Sequence, residues 1–214
     1  GAIFSDFLTA SSVCSPSRAA LLTGAYPTRP GVVNVLWPEC GGNWGNTNEP
    51  AAGLHLNELT IAEVLTDAGY ATAMTGNWHL GDNPNFLPTR QGFDVYFGIP
   101  FSNDMNRSKL PLLIDEEISE INPDQALLTE RYTDFAIDFI EENPDDQPFF
   151  LYLAHTMPHI PIYASEKFKG TSKGSVYGDV IEEIDYNVGR DLSALRWRLV
   201  DAIRNKQVAL DDEA

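Results

Sequence analysis

The sequence predicts an α/β chain, a three-layer α/β/α sandwich around a mostly parallel sheet. Three observations predict it. Phe149 to Ala154 is a continuous apolar run, the pattern of a strand buried on both faces as parallel strands are. Before it, Tyr132, Phe135, Ala136, Phe139 and Ile140 recur at helical spacing, and Asn143-Pro144 closes that helix. An earlier helix-to-strand unit opens on the capping-box pattern Thr60-Ile61-Ala62-Glu63, with Ile61, Val64 and Leu65 on one face. Gly69 stops that helix, and Tyr70 to Thr75 reads as its strand. Helices alternating with buried strands pack as layers. Few strands are legible, so the sheet is expected to be incomplete.

Nearer the start, Ser15-Pro16 carries a helix-capping residue and a proline at the first helical position, and Gly24 stops the helix that follows. Cys14 is thereby placed at a helix N-terminus. Ala25 to Gly53 is rich in Gly, Pro, Asn and Trp without period, and reads as a long surface loop. A third helix is expected over about Val176 to Asn205, where Val180, Ile184, Val188, Leu192, Leu195 and Leu199 recur at three- and four-residue steps. No strand follows it, and the tail Asp211-Asp212-Glu213 reads as a solvated charge run.

The chain has 214 residues, with 14 Lys+Arg against 31 Asp+Glu, a net charge of −17. Such a charge opposes phosphate backbones, so no nucleic acid partner is expected. Its apolar runs fall far below the roughly 18 residues of a membrane-spanning helix, and no membrane span is expected. Cys14 and Cys40 are too few for a disulfide scaffold, though they leave room for one bridge. The chain opens on Gly1 close to a dense motif, which suggests that an N-terminal part of the natural protein is absent.

A cysteine at a helix start with Arg18 four residues on sets a sulfur among free backbone N–H groups and a guanidinium, a setting for an oxyanion such as a sulfate or phosphate ester. Three readings stay open on these residues alone: a structural cysteine, a thiolate nucleophile, or a cysteine modified before it acts. The cysteine-phosphatase loop wants five residues between cysteine and arginine; Cys14 and Arg18 enclose three. Gly170-Thr171-Ser172-Lys173-Gly174 has the nucleophile-elbow pattern, but every histidine precedes it, against the order that such hydrolases need. His155 and His159 have zinc-ligand spacing, yet Pro158 lies between them.

Cys14-Ser15-Pro16-Ser17-Arg18 through Thr23-Gly24 resembles the signature of the type I sulfatases. So do Gly69-Tyr70-Ala71-Thr72 with Gly76-Asn77-Trp78-His79-Leu80-Gly81, Gly92-Phe93-Asp94 through Ser102-Asn103-Asp104, Pro148 to Pro161, and Tyr177-Gly178-Asp179 through Asp185. The likeness runs to about residue 190, with 191–214 as a helical tail, and implies one partial catalytic domain of the alkaline-phosphatase-like fold. It implies a sulfuric ester hydrolase whose Cys14 is converted to formylglycine, the hydrated nucleophile and a metal ligand. Arg18 would steady that nucleophile. His79 would contact it and the sulfate, His159 would protonate the leaving alcohol or bind sulfate, and Ser102 would lie near the nucleophile. Asn77 stands where the family signature has a sulfate-contacting lysine, and it brings no charge to an anion.

The resemblance further implies calcium or magnesium, but the segments carrying the family's other metal ligands have no match here, so weak metal binding is expected. The implied partners are a sulfate ester and a formylglycine-generating enzyme; the implied compartment is periplasmic, secreted or lysosomal. The alternative is a catalytically dead remnant of the same fold.

Overall fold

The computed structural model describes residues 4–38, 53–105 and 109–212, with side chains described through residue 202. Cys40, with positions 39–52 of the expected loop, and Glu213 lie outside the described residues. In chain order the elements are α1 (Cys14–Thr23), α2 (Ile61–Asp67), β1 (Ala71–Asn77), β2 (Val95–Ile99), β3 (Pro111–Ile114), β4 (Glu117–Ile121), α3 (Leu128–Glu142), β5 (Phe149–Ala154) and α4 (Ser175–Asp212). Among the described residues no helix is long and apolar enough to cross a membrane.

The five strands form one sheet in the order β4-β3-β2-β1-β5. β1 runs parallel to both β2 and β5, and the β3–β4 hairpin extends the sheet antiparallel to β2. Alternation along the strands sends side chains to two apolar clusters on opposite faces. On one face Met74, Tyr96, Phe150 and Tyr152 pack with Ala19 and Leu22 of α1 and Ala62 of α2. On the other, Phe97, Ile99 and Leu153 pack with Leu128, Tyr132 and Phe135 of α3. Helices thus cover both faces, and each fully buried side chain of Trp78, Met74 or Leu112 is worth about 1.5–3 kcal/mol in area removed from water.

The three parallel strands come very close at their carboxyl ends. Gly76 has φ 112°, and a Cβ there would sit 2.0 Å from the Ala154 carbonyl oxygen, while one on Gly98 would sit 1.8 Å from that of Gly76. Only glycine fits at either position.

Several local expectations are corrected. Helix α1 starts at Cys14 with Val13 as its N-cap, because the buried Ser15 hydroxyl instead accepts the Leu36 amide at 3.0 Å and anchors the loop. Thr60 and Glu63 do form the full capping box. Yet Ile61 and Val64 of α2 are 43% and 48% exposed, and Ala62 is the residue turned inward. The Thr60 hydroxyl donates to the Gln91 carbonyl at 2.8 Å and the Thr66 hydroxyl to that of Gly92 at 2.9 Å, and these bonds set the roll of the helix.

β5 is not buried on both faces: five of its six residues are half-buried, because it pairs with β1 alone and lies at the sheet edge. Strands β2, β3 and β4 have no counterpart in the sequence reading. They are short, β2 contains Gly98, and β3 opens on Pro111. The third expected helix is longer than its pattern, running through Asp211 and Asp212. Its apolar stripe is buried only at Val180 and turns outward from Val188 on, with Leu192 61% and Leu199 62% exposed. Glu183, Asn187, Asp191 and Ala194 are buried on the side that packs. Ion pairing of Arg190 with Asp134 of α3 at 2.6 Å fixes that orientation.

Candidate active site

The carboxyl ends of β1, β2 and β5 lie side by side, the place where open parallel sheets present ligands. After β1 come Asn77, its last residue, and His79; after β2 come Ser102, Asn103 and Asp104; after β5 come His155 and His159. Helix α1 reaches this edge with its first turn. Gly24, with φ 64°, stops the helix after ten residues, so that Cys14 and Arg18 lie at its start, one turn apart.

The Arg18 guanidinium donates to the backbone carbonyl of Asn77, which ties α1 to the end of β1. Cys14, Ser17 and Arg18 line one side of a cavity of about 520 Å³ whose other walls include Phe7, Leu8 and Tyr152. A guanidinium and the positive end of the helix dipole therefore act on the space around the Cys14 sulfur.

His79 is buried and held at φ 59°. Its Nε2 lies 2.9 Å from the Leu36 carbonyl. A carbonyl only accepts, so Nε2 carries the proton and Nδ1 is an acceptor, which is buried and has no partner. Burial pulls the His79 pKa down to about 4; the Leu36 bond opposes this, the Arg18 and His159 charges lower it further, and Asp104 raises it. The ring is therefore neutral, and these charges share its surroundings. His159 lies in the loop after β5 with Nδ1 2.6 Å from the Ile160 carbonyl, so by the same rule Nδ1 holds the proton and Nε2 is left for other contacts.

Four residues singled out in the sequence thus stand together: Arg18 against Asn77, and His79 within electrostatic reach of Arg18 and His159. Ser102 lies at the same edge with a buried, unpartnered hydroxyl, and the Asn77 Oδ1 is likewise unpartnered.

The sequence weighs His155 only by its zinc-ligand spacing and gives Asn103 no role of its own. Both nitrogens of His155 are buried without a partner, beside the Tyr132 ring at 6.4 Å, and burial lowers its pKa to about 4. Position directly after the apolar run of a parallel strand is the available signal. Asn103 is buried next to Ser102, with Oδ1 unpartnered. Unpaired buried polar atoms each cost about 1–3 kcal/mol. Their concentration at one sheet edge marks a place built for a polar ligand.

A hard cation takes about six oxygens. Among the described residues no group of three His, Cys, Asp or Glu side chains could hold a metal ion. By themselves these residues do not fit the calcium or magnesium ion that the resemblance implies.

The sequence profile described as Sulfatase matches residues 1–200. Canine N-acetylgalactosamine-6-sulfatase is 39% identical over 211 residues, covering 92% of this chain and 40% of that protein. Human arylsulfatase A is 36% identical over 220 residues, covering 91% and 41%. The crystal structure of Ps i-CgsB in complex with k-i-k-neocarrahexaose superposes with a TM-score of 0.72 at 26% identity, over 89% of this chain and 46% of that one. The chain spans about 40% of the length of the curated relatives it matches. With the signature residues of α1 and β1 at one sheet edge and a family match over nearly its whole length, this chain belongs to the sulfatase family.

Proposed function

We propose that this chain supplies the sulfate-ester-hydrolysing centre of a sulfatase, within a single catalytic domain of which residues 1–214 are a part. The observation that carries the reading is the junction of Arg18, at the start of α1, with the end of β1, where His79 also stands. Cys14 is read as the precursor of formylglycine, made by a formylglycine-generating enzyme before folding. When formed, its hydrated aldehyde supplies an oxygen nucleophile and a second hydroxyl through which sulfate is later released.

The chain's own side chains fill the remaining roles. Arg18 offsets negative charge on the attacked sulfate group. Neutral His79 takes a hydrogen bond from a hydroxyl at Nδ1, and the unpartnered Ser102 hydroxyl at the same sheet edge is read as a further contact of the nucleophile. His159 offers Nε2 to the leaving alcohol; with Nδ1 held by Ile160, protonation at Nε2 makes it the general acid. Asn77 offers amide hydrogen bonding to the sulfate without charge. The names of the relatives favour a sulfated sugar as substrate, and the family's usual compartments, periplasmic, secreted or lysosomal, are proposed here too.

A second reading, a catalytically dead remnant, is favoured by Asn77, which brings no charge to the sulfate where the family signature has a lysine. One experiment separates the two. The chain is co-expressed with a formylglycine-generating enzyme, alone and together with its flanking coding sequence. Aldehyde at residue 14 is measured by hydrazide labelling and peptide mass, and turnover with a chromogenic aryl sulfate and calcium. We expect aldehyde in both forms and turnover only in the longer one. Aldehyde without turnover in either form, on the aryl sulfate or on a sulfated N-acetylhexosamine assayed beside it, establishes the remnant; an unmodified Cys14 refutes the precursor assignment.

A further inference from the structure

We infer that Asn103 is a positioning residue that locks the His159 loop to the end of β2 and thereby fixes which nitrogen of His159 faces the site. This deepens the proposed function and rests on it for the role of His159. The clamp itself is argued from the structure alone.

Asn103 is buried and follows β2 directly after Ser102. Its Nδ2 donates twice, to Gln125 Oε1 at 2.9 Å and to the backbone carbonyl of Pro161 at 3.1 Å. The second bond spans 58 residues and links two loops that share no backbone pairing there. The amide orientation is not arbitrary, because a carbonyl only accepts and Pro161 can be met only by the NH2 group.

From Pro161 the restraint passes one peptide back to Ile160, whose carbonyl lies 2.6 Å from His159 Nδ1. Pinning the 160–161 segment therefore pins the acceptor that holds the His159 proton on Nδ1. In water an unrestrained neutral histidine exchanges between its two tautomers. Here the clamp selects the one that leaves Nε2 free, and a general acid or base acts only if the correct nitrogen faces the reacting atom. The other loop contact of the segment, the His159 amide to the Thr156 carbonyl at 3.3 Å, is local and does not tie it to the sheet.

The test reads the tautomer directly. Long-range 1H–15N spectra of histidine-labelled protein assign the proton of each ring in wild type, Asn103→Ala and Gln125→Ala. Gln125→Ala removes one acceptor of Nδ2 and keeps the Pro161 bond. We expect His159 to be fixed as the Nδ1–H form in wild type and Gln125→Ala, and to become a tautomer mixture in Asn103→Ala. A His159 pattern unchanged in Asn103→Ala overturns the proposal. If Asn103→Ala fails to fold, the Asn103 side-chain amide in wild type decides: two slowly exchanging protons support the clamp, and exchange as fast as a free amide overturns it. In a form that turns over a sulfate ester, Asn103→Ala should lower kcat by roughly tenfold or more, with KM changed less than about twofold. A lost tautomer with an unchanged kcat upholds the clamp and refutes His159 as the acid.

Discussion

Two regions of this molecule bury ionisable groups that have unpartnered polar atoms, and they differ in what surrounds those groups. At the carboxyl ends of the parallel strands, His79 Nδ1 and both nitrogens of His155 share one sheet edge with the unpartnered atoms of Asn77, Ser102 and Asn103. On the buried face of α4, the two carboxylate oxygens of Asp191 are unpartnered, with Arg190 and Asp134 as their charged neighbours. The first arrangement gathers unmet polar atoms at the carboxyl ends of three strands, as a ligand site does. The second is a single acid on a helix whose apolar side faces outward. The same local feature belongs to a cluster of polar groups in one place and stands alone as a stability cost in the other, and the surroundings tell them apart.

The two regions also respond to pH with opposite sign. His79 and His155 have folded pKa values of about 4, below the ordinary 6.5. The unfolded chain takes up protons first as pH falls, so the stability from neutral burial is complete above pH 6.5 and is lost as pH falls toward 4. Each histidine accounts for roughly 2–3 kcal/mol of that loss. Urea unfolding at pH 7.5 and pH 4.5 should show the largest effect of any tested here. His155→Phe should flatten the acid limb by its share. An equally steep limb in that variant would mean that His155 is not buried as described.

Asp191 works the other way. Burial raises its pKa to about 6, opposed by Arg190 and aided by Asp134. Its folded pKa lies above the ordinary 3.8, so its stability contribution is present below pH 3.8 and is lost as pH rises through 6. Asp191→Asn should therefore stabilise the protein by about 1–2 kcal/mol at pH 7.5 and do little at pH 4. It should also steepen the acid limb, because the opposing contribution of Asp191 is gone. A variant less stable than wild type at pH 7.5 would show that the carboxylate is paired rather than merely buried.

How much of this could be read from the sequence follows the range of the interactions. The Thr60–Glu63 capping box spans four residues, and the structure has it as written. The glycine stop of α1 is equally local, as is the helix that ends at Asn143. Cys14, Arg18 and His79 are legible through motif text, although the bond that ties their two segments, Arg18 to the Asn77 carbonyl, crosses 59 residues. The role of Asn103 depends on a bond to Pro161, which no periodicity reports. The hairpin β3–β4 escaped because four- and five-residue strands with Glu117 and Glu120 carry too little apolar pattern. For α4, period marked the apolar stripe, but packing covers it only at Val180 and leaves Val188, Leu192, Leu195 and Leu199 outward. Contacts chosen by Arg190, Asp179 and Glu183 turned the polar side inward.

That inversion gives the last and smallest prediction. In an ordinary amphipathic helix a Leu→Gln change on the apolar stripe costs several kcal/mol, because the side chain leaves a packed core. On α4 Leu192 and Leu199 are more than half exposed, whereas Asn187 is buried with Nδ2 donating to the Glu183 carbonyl at 2.9 Å. Leu192→Gln and Leu199→Gln should each change unfolding free energy by less than about 0.5 kcal/mol, the range of surface substitutions. Asn187→Ala should cost about 1 kcal/mol through the lost hydrogen bond. The three variants share one helix and one assay, so the ranking is the readout. Should Leu192→Gln prove costlier than Asn187→Ala, the apolar stripe is covered in solution, and the contrast drawn here between a buried polar face and an exposed apolar one fails.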